Sequence, residues 1–489
     1  MRIPALPSIV MVAFTFWQVT PAMCQSFTQT AATLKQNLKE FEGRYEYRDG
    51  QTLFMVKNGE QLVAVIGDSK YVLRASSTDT FLNPPGDSIP FVRGEGGRIV
   101  AFQEYGEAFV RLSPSVPAAV RLLLQARPDG PNGLPVEYRY EPPPRQPDGI
   151  KIGAAGPGTI TPEVAERLVD GIIKGTYPDV RSILVYHKGA LRLEEYFYTF
   201  NGNRPHGMRS FTKSVISLLA GAAVDRGLLR ADDTALARLG YSQPQNPDPR
   251  KAKVTLSHLL SNQSGLDCND HDENSPGRET KYFETDDWVK AFFDVPMVAD
   301  PGTVGSYCSG GFYAAGKMIE RAAGKSLPEF ADDVLFTPLG IKRRDWNWNF
   351  TLDRTQRNEF GQIYLRPRDM LKLGILIRDR GEWNSKRVLS AAWIDAALAR
   401  RSRVDDSDYG LGIWHRWYSV RTATGDQRVD TIMLSGNGGQ KVYFVPALDL
   451  IVVATGSAYF VESPLNEMMS DVLLPALIGG KTKVRGVDT

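Results

Sequence analysis

Hydrophobic and polar residues alternate with a period of two in the N-terminal part of the chain. In GRYEYRDGQTLFMVKNGEQLVAVIG the alternation is interrupted by Asp-Gly and Asn-Gly pairs that end at Gly50 and Gly59, and such pairs close tight hairpins. Similar short runs follow at regular spacing. The pattern predicts a small all-β domain of strands and turns, either a sheet or a barrel, over residues 25–125.

The pattern changes after residue 125. Residues 126–158 are dense in proline and glycine, which is typical of a linker or of an extended segment that wraps its neighbour. In TPEVAERLVDGIIKG the apolar residues then recur at helical spacing, with Thr161 in the N-cap position and Pro162 in the first turn. We therefore expect a helix that begins at Pro162.

Strands are expected at both ends of the remaining chain. SILVYHKGALRLEEYFY predicts two strands joined at Gly189, and KVYFVPALDLIVVATG predicts two more around a turn at Pro446. A helix is expected at residues 464–477. Strands at both ends with helices between them predict an α+β domain over residues 159–480, in which one sheet is assembled from distant parts of the chain.

The overall composition is that of a globular protein with more than one domain. Of the 489 residues, 42% are hydrophobic and 23% are charged. The 58 lysines and arginines nearly balance the 56 aspartates and glutamates, and no long run of one sign interrupts the chain. Nucleic acid is therefore not an expected partner.

The first residues have the pattern of a secretory signal peptide. Arg2 supplies a positive charge, residues 9–19 form a short apolar core, and cleavage is expected after Cys24. A membrane anchor is the alternative, although the apolar run is well short of the roughly 20 residues that span a bilayer. We expect a periplasmic or secreted protein without a stable membrane span after signal removal.

Two cysteines, Cys268 and Cys308, remain after this cleavage. In an oxidising compartment they can form a disulfide, which would close a loop of about 40 residues and stabilise the fold by roughly 3 to 4 kcal/mol. Two separately buried thiols are the alternative that the sequence leaves open.

The stretch GMRSFTKSVISLLAGAAV contains the first candidate catalytic residues. Ser210 and Lys213 are three residues apart at the expected start of a buried helix, so both lie on one helix face. The helix N-terminus would favour an alkoxide on Ser210 and help to lower the pKa of Lys213. Alternatively, Ser210 is an ordinary N-cap and Lys213 a surface charge.

Two further motifs follow downstream. In PGTVGSYCSGGFYAAG, Tyr307 and Ser309 lie in a glycine-rich turn before a predicted helix; a tyrosine near a lysine can shuttle protons, or it can simply pack under a loop. In MLSGNGGQ, Gly436 and Gly438 allow another group to approach the backbone closely, as an oxyanion hole requires. A plain hairpin turn is the alternative for this glycine motif.

Together, the three motifs resemble those of the serine β-lactamase and penicillin-binding-protein superfamily. The resemblance covers about residues 160–480, and VTLSHLLSNQSGLDC is similar to a signature of its class C-like branch. SGNGGQ followed by FVPALDLIVVATG is similar to the branch of 6-aminohexanoate-dimer hydrolases and carboxylesterases. The resemblance implies a β-lactamase-like antiparallel sheet flanked by a helical subdomain and preceded by a small all-β domain.

The resemblance also implies a role for each matching residue. Ser210 would be the acylated nucleophile, Lys213 would take its proton, and Tyr307 would relay that proton to the leaving group and later activate water. The backbone N–H groups of Ser210 and Asn437 would form the oxyanion hole. The expected substrate-binding residues are Ser309, Gly436 and Gly438, and the cleft could also be lined by Arg209, Asp267 and Trp414, unless these three are structural.

The glycine motif departs from the family pattern. Leu434-Ser435-Gly436 has no cation where K-T-G has its lysine. In β-lactamases that lysine helps to hold a substrate carboxylate, so an uncharged small-molecule ester or amide is the expected substrate.

No metal and no other cofactor is expected. The five histidines show no metal-ligand spacing; they are His187, His206, His258, His271 and His415. The sequence thus predicts an exported serine hydrolase of the carboxylesterase or amidase type. A D,D-peptidase or weak β-lactamase acting on cell-wall material, and a catalytically silent binding module, are the alternatives.

Overall fold

The computed structural model describes residues 37–479, apart from residues 48–50, 68, 85, 128–136, 283–284, 350–361, 423 and 460–461. The predicted signal peptide, residues 1–24, lies outside the described residues. The described chain forms a closed barrel followed by a larger unit of mixed helices and strands. None of its helices is long and apolar enough to cross a membrane.

Eight antiparallel strands close into the N-terminal barrel in chain order. They are β1 (Gly43–Glu46), β2 (Thr52–Asn58), β3 (Gln61–Ile66), β4 (Ser69–Ala75), β5 (Thr80–Leu82), β6 (Ser88–Arg93), β7 (Ile99–Glu104) and β8 (Glu107–Ser113). The barrel closes where Arg44 on β1 lies opposite Ser113 on β8. Because successive side chains on a strand face opposite sides, alternate residues such as Leu53 and Met55 point into the barrel.

The N-terminal segment also contains a helix, so the prediction of strands and turns up to residue 125 is wrong there. Helix α1 (Ala118–Leu122) follows the last strand and begins after Pro117. It starts on two alanines, which are strong helix formers. Its Val120 packs against a small cluster formed by Val56, Val63 and Val65 of the barrel.

Residues 137–158 run along the larger unit as extended chain. The Gly153 N–H donates to the Leu191 carbonyl at 3.0 Å, and the Leu191 N–H donates to the Lys151 carbonyl at 2.8 Å. The buried Arg368 also donates to the Asp148 carboxylate at 2.8 Å. This part of the segment therefore wraps the larger unit.

The larger unit is built on an eight-stranded antiparallel sheet in the order β10-β9-β21-β20-β19-β18-β17-β16. The strands after the barrel are β9 (Val180–His187), β10 (Ala190–Tyr196), β11 (His206–Gly207), β12 (Asn347–Asn349), β13 (Gln362–Leu365), β14 (Glu382–Trp383), β15 (Lys386–Arg387), β16 (Ser402–Val404), β17 (Ser407–Tyr409), β18 (Trp414–Thr422), β19 (Gly425–Gly436), β20 (Gln440–Val445) and β21 (Leu450–Gly456). Val185 on β9 lies opposite Val452 on β21. The pairing confirms that distant parts of the chain build one sheet.

Helices cover both faces of this sheet. They are α2 (Pro162–Ile173), α3 (Phe211–Asp225), α4 (Ala235–Leu239), α5 (Leu256–Leu260), α6 (Glu279–Tyr282), α7 (Trp288–Asp294), α8 (Ser309–Ala323), α9 (Leu327–Ala331), α10 (Pro367–Arg378), α11 (Ala391–Leu398), α12 (Pro464–Met468) and α13 (Leu474–Ile478). Leu434 of β19 belongs to the core that contains the buried helix α3. The neighbouring Met433 points to the opposite face and packs in the core that contains α2, α12 and α13. Helix α2 begins as predicted, with the Thr161 hydroxyl accepting from the Val164 N–H at 3.4 Å.

Candidate active site

Ser210 lies at the N-terminus of α3, in a tightly held backbone. The Met208 N–H donates to the Ile363 carbonyl at 2.8 Å and so ties the segment before the helix to β13. Arg209, directly before the serine, has a φ of 51°, in the left-handed region that residues other than glycine rarely adopt. Such conformations persist only where the surroundings enforce them, and they cluster at functional sites.

The structure brings four of the predicted site residues together. Lys213 Nζ lies 3.2 Å from Ser210 Oγ and 2.7 Å from Ser309 Oγ. The Tyr307 ring centroid is 4.8 Å from the same Nζ. Lys213 is only 7% exposed, so it is not a surface charge.

The charge on Lys213 is stabilised by its surroundings. Burial disfavours the charged form, but Tyr307, Glu279 and Asp270 outweigh it and raise the pKa of Lys213 above its usual value. The predicted lowering of this pKa is therefore wrong, because the neighbouring acidic groups dominate over burial and the helix N-terminus. In this arrangement Lys213 is a cation at neutral pH.

Asp270 and Glu279 form an acidic pair that the sequence analysis missed. Asp270 Oδ2 accepts hydrogen bonds from the Ser309 N–H and hydroxyl, each at 2.7 Å. Glu279 Oε2 lies 3.0 Å from the same hydroxyl oxygen. Burial raises the pKa of Asp270, Lys213 opposes this shift, and Glu279 adds to it. The available signal was the position of Asp270, two residues after a cysteine whose partner directly precedes Ser309.

Cys268 and Cys308 form that disulfide, with their Cα atoms 5.5 Å apart. The bridge fixes the Asp270 loop to the start of α8, where the Asp270 N–H also donates to the Tyr307 carbonyl at 2.8 Å. The His271 ring stacks on the Tyr307 ring with centroids 4.9 Å apart. The loop therefore positions both the carboxylate and the tyrosine.

The glycine motif lies directly against the start of α3. A Cβ on Gly436 would overlap the Met208 carbonyl oxygen and lie 3.1 Å from the Phe211 nitrogen. Gly438 has a φ of 87°, a conformation that favours glycine. Asn437 lies between these glycines, beside the start of α3, and the role of its N–H in an oxyanion hole stays a prediction.

The motif itself has no cation where K-T-G has its lysine, but the structure places another lysine beside it. Lys441 on β20 is opposite Ser435 on β19, and its ammonium donates to the Ser435 hydroxyl. Burial and the nearby Arg416 lower the pKa of Lys441 to about 8, against an opposing effect of Glu462. The sequence comparison with K-T-G missed this lysine because cross-strand neighbours are distant along the chain.

The remaining candidates divide between the site and its framework. The Trp414 ring is 5.6 Å from the Tyr307 ring, and the Arg209 guanidinium lies 5.2 Å from the Tyr459 ring centroid. Asp267 supports the loop through its backbone, with its carbonyl accepting from the Gly277 N–H at 3.1 Å. In the part of the chain that the structure describes, no group of three or more histidine, cysteine, aspartate or glutamate side chains could hold a metal ion.

The chain is similar to several known hydrolases. Lovastatin esterase from Penicillium rubens is 27% identical over 177 residues, which are 33% of this chain and 42% of the esterase. The 6-aminohexanoate-dimer hydrolase from Paenarthrobacter ureafaciens is 25% identical over 293 residues, 55% of this chain and 71% of the hydrolase. The solved structure of a family VIII carboxylesterase has a similar fold, with a TM-score of 0.51 at 14% identity over 66% of this chain and 99% of the carboxylesterase.

The family assignment rests on the larger unit. The beta-lactamase family model matches residues 167–459, which is more than half of the chain. The matched part contains Ser210, Lys213 and Tyr307, and the relatives named above are hydrolases. The chain therefore belongs to the beta-lactamase family.

Proposed function

We propose that the protein is an exported serine hydrolase that cleaves an ester or amide bond through an acyl-enzyme on Ser210. The observation that carries this proposal is the 3.2 Å contact between Lys213 Nζ and Ser210 Oγ at the start of a buried helix. The similarity to lovastatin esterase and to 6-aminohexanoate-dimer hydrolase supports this class of bond. Export rests on the predicted signal peptide.

In the proposed mechanism, Lys213 acts as a cation rather than as a free base. Its raised pKa suits it to stabilise the negative charge that develops on the Ser210 oxygen. Tyr307, whose ring centroid lies 4.8 Å from this ammonium, is the group that takes the proton of Ser210 while the serine oxygen bonds to the substrate carbonyl carbon. The tyrosine then returns the proton to the leaving alcohol or amine as the ester or amide bond breaks. In deacylation Tyr307 takes a proton from water, the water oxygen bonds to the acyl carbon, and the proton passes to Ser210 Oγ as the acyl-serine bond breaks.

The glycine motif would stabilise the tetrahedral intermediate. The close packing of Gly436 on the start of α3 supports a pair of donors from the backbone N–H groups of Ser210 and Asn437. Ser309 contacts both Lys213 and Asp270, and it would hold the ammonium toward the nucleophile.

A second candidate is a D,D-peptidase or weak β-lactamase, and one observation favours it. Lys441 directs its ammonium at Ser435, in the motif that replaces K-T-G, and so supplies a cation that could attract a substrate carboxylate. Its pKa of about 8 leaves it charged at neutral pH. The nearby Arg416 guanidinium and Glu462 carboxylate form an ion pair at 3.0 Å, so their charges offset each other.

Activity-based labelling tests the proposal. A fluorophosphonate probe is expected to label the wild-type protein and the matched control Ser217→Ala, which changes another buried serine of α3. Ser210→Ala is expected to lose the label while keeping its circular dichroism spectrum. Labelling by a fluorescent penicillin as well would favour the peptidase, and a folded wild-type protein without any label would contradict the hydrolase proposal in favour of a silent module.

A further inference from the structure

The N-terminal barrel encloses a cavity of about 330 Å³. Inward-facing residues of several strands line it, among them Leu53, Met55, Ala64, Leu73, Ile89 and Phe102. An eight-stranded barrel is just wide enough either to be filled by its side chains or to hold one small ligand. Here aromatic rings pack around Phe41, and the cavity is lined by other inward-facing residues such as Leu53 and Met55.

Aromatic rings fill the part of the barrel interior around Phe41. Phe41 makes edge-to-face contacts with Phe81 at 5.1 Å and with Phe91 at 4.8 Å between ring centroids. At the opposite end the cavity wall becomes polar, where the Tyr47 hydroxyl donates to Glu104 Oε2 at 2.7 Å. An apolar interior with a few polar groups at its rim is the usual lining of a site for an apolar ligand.

The open end of the barrel adjoins the candidate active site. Tyr71 on β4 lines the cavity and also stacks on Tyr459 of the larger unit, with ring centroids 5.7 Å apart. The Tyr459 ring occupies the space that a side chain on Gly438 would need. The Arg209 guanidinium lies 5.2 Å from the centroid of the same ring. Since Arg209 directly precedes Ser210, a continuous path of contacts leads from the nucleophile to the cavity.

Lys70, the residue before Tyr71, fixes the barrel to the larger unit. Lys70 is buried, forms an ion pair with Asp179 at 2.5 Å, and places its ammonium 3.6 Å from the Tyr198 ring centroid. Asp179 and Tyr198 both belong to the larger unit. Adjacent residues of β4 thus contact the larger unit and the cavity, because their side chains point to opposite faces of the strand.

We propose that the barrel cavity binds the aliphatic chain of the substrate, so that the substrate is an ester or amide of a long aliphatic acid. This inference rests on the proposed function at Ser210. The reacting carbonyl lies at Ser210, the chain passes Tyr459 and Tyr71, and its end is buried against Ala64 and its neighbours. Catalysis and chain recognition are then divided between the two parts of the protein.

A chain-length series tests the proposal on the full-length protein. We expect kcat/KM for p-nitrophenyl esters to rise from butyrate to laurate, by up to roughly fourfold for each methylene that enters the cavity, the factor that corresponds to about 0.8 kcal/mol. Ala64→Phe fills the cavity and is expected to lower the laurate-to-butyrate ratio at least tenfold. Ala108→Phe adds the same side chain on the exposed outer face of the barrel and is expected to keep the wild-type ratio.

A second variant guards against misfolding. Ile89→Trp fills the same cavity from another strand, and thermal unfolding followed by circular dichroism shows which variants are folded. The cavity proposal is wrong, and the proposed function stands, if the butyrate ester is hydrolysed but kcat/KM does not rise with chain length. The same conclusion follows if folded Ala64→Phe and Ile89→Trp keep the laurate-to-butyrate ratio of the wild type. If the wild-type protein hydrolyses no ester and Ser210 takes no fluorophosphonate label, both are wrong.

Discussion

Asp270→Asn removes the carboxylate that sits behind the Lys213 ammonium while keeping the shape of the side chain. Two hydrogen bonds of 2.7 Å connect Asp270 Oδ2 to Lys213 Nζ through Ser309 Oγ, so the charged atoms are at most about 5.4 Å apart. At that distance two unit charges interact by about 3 kcal/mol at an effective dielectric constant of about 20. Loss of this interaction is expected to lower the pKa of Lys213, because its charged form loses a partner.

The pH profile of kcat/KM for a soluble p-nitrophenyl ester measures this effect. If the lysine must be charged, its deprotonation sets the alkaline limb of the profile. That limb is expected to move to lower pH by at least about one unit in Asp270→Asn. Asp272→Asn, an exposed neighbour on the same loop, is expected to leave the profile in place. An alkaline limb at the same pH in wild type and in folded Asp270→Asn would refute the assignment of Lys213 as the cation that Asp270 stabilises.

Three further predictions concern stability and geometry. Lys441→Met is expected to raise the free energy of unfolding at pH 7 by up to about 3 kcal/mol, because the fold disfavours the charged form of the lysine. This gain should shrink as the pH rises from 8 to 10.5, because the folded lysine loses its proton at lower pH than the unfolded one. Urea unfolding at pH 7 and at pH 9.5 measures both effects. Replacing Cys268 and Cys308 together by serine is expected to lower the free energy of unfolding by about 4 kcal/mol, because the 40-residue loop is no longer closed; unchanged urea midpoints would contradict this. Gly436→Ala is expected to slow fluorophosphonate labelling at least tenfold, because its Cβ would overlap a backbone oxygen before α3, whereas Gly156→Ala, which meets open space, should label at the wild-type rate.

Local features of the site could be read from the sequence because they depend on short-range geometry. Ser210 and Lys213 are one helical turn apart, so their contact follows once the helix is recognised. The cap at Thr161 and the hairpin at Gly189 are likewise properties of a few adjacent residues. It was also predicted that strands from both ends of the domain share one sheet, although the pairing of β9 with β21 was not.

Long-range electrostatics could not be predicted in the same way. The pKa of Lys213 depends on Asp270 and Glu279, which are more than fifty residues away along the chain, and no spacing rule connects them. The ammonium of Lys441 reaches Ser435 only because of the strand register between β19 and β20. The sequence therefore indicated which groups could do chemistry, but not which of them would be charged.

The disulfide links residues that are distant along the chain but close in the candidate site. Cys308 lies between Tyr307 and Ser309, and Cys268 is two residues before Asp270, so one covalent bond links the Asp270 loop to the segment that contains Tyr307 and Ser309. Without the bridge, Asp270 would be held by its hydrogen bonds with Tyr307 and Ser309 and by the Glu279 N–H, which donates to Asp270 Oδ1 at 2.9 Å, and movement of the loop would break these bonds. Any loss of these contacts weakens the field at Lys213 in the same sense as Asp270→Asn. Opening the bridge is therefore expected to shift the alkaline limb in the same direction by a smaller amount than Asp270→Asn does.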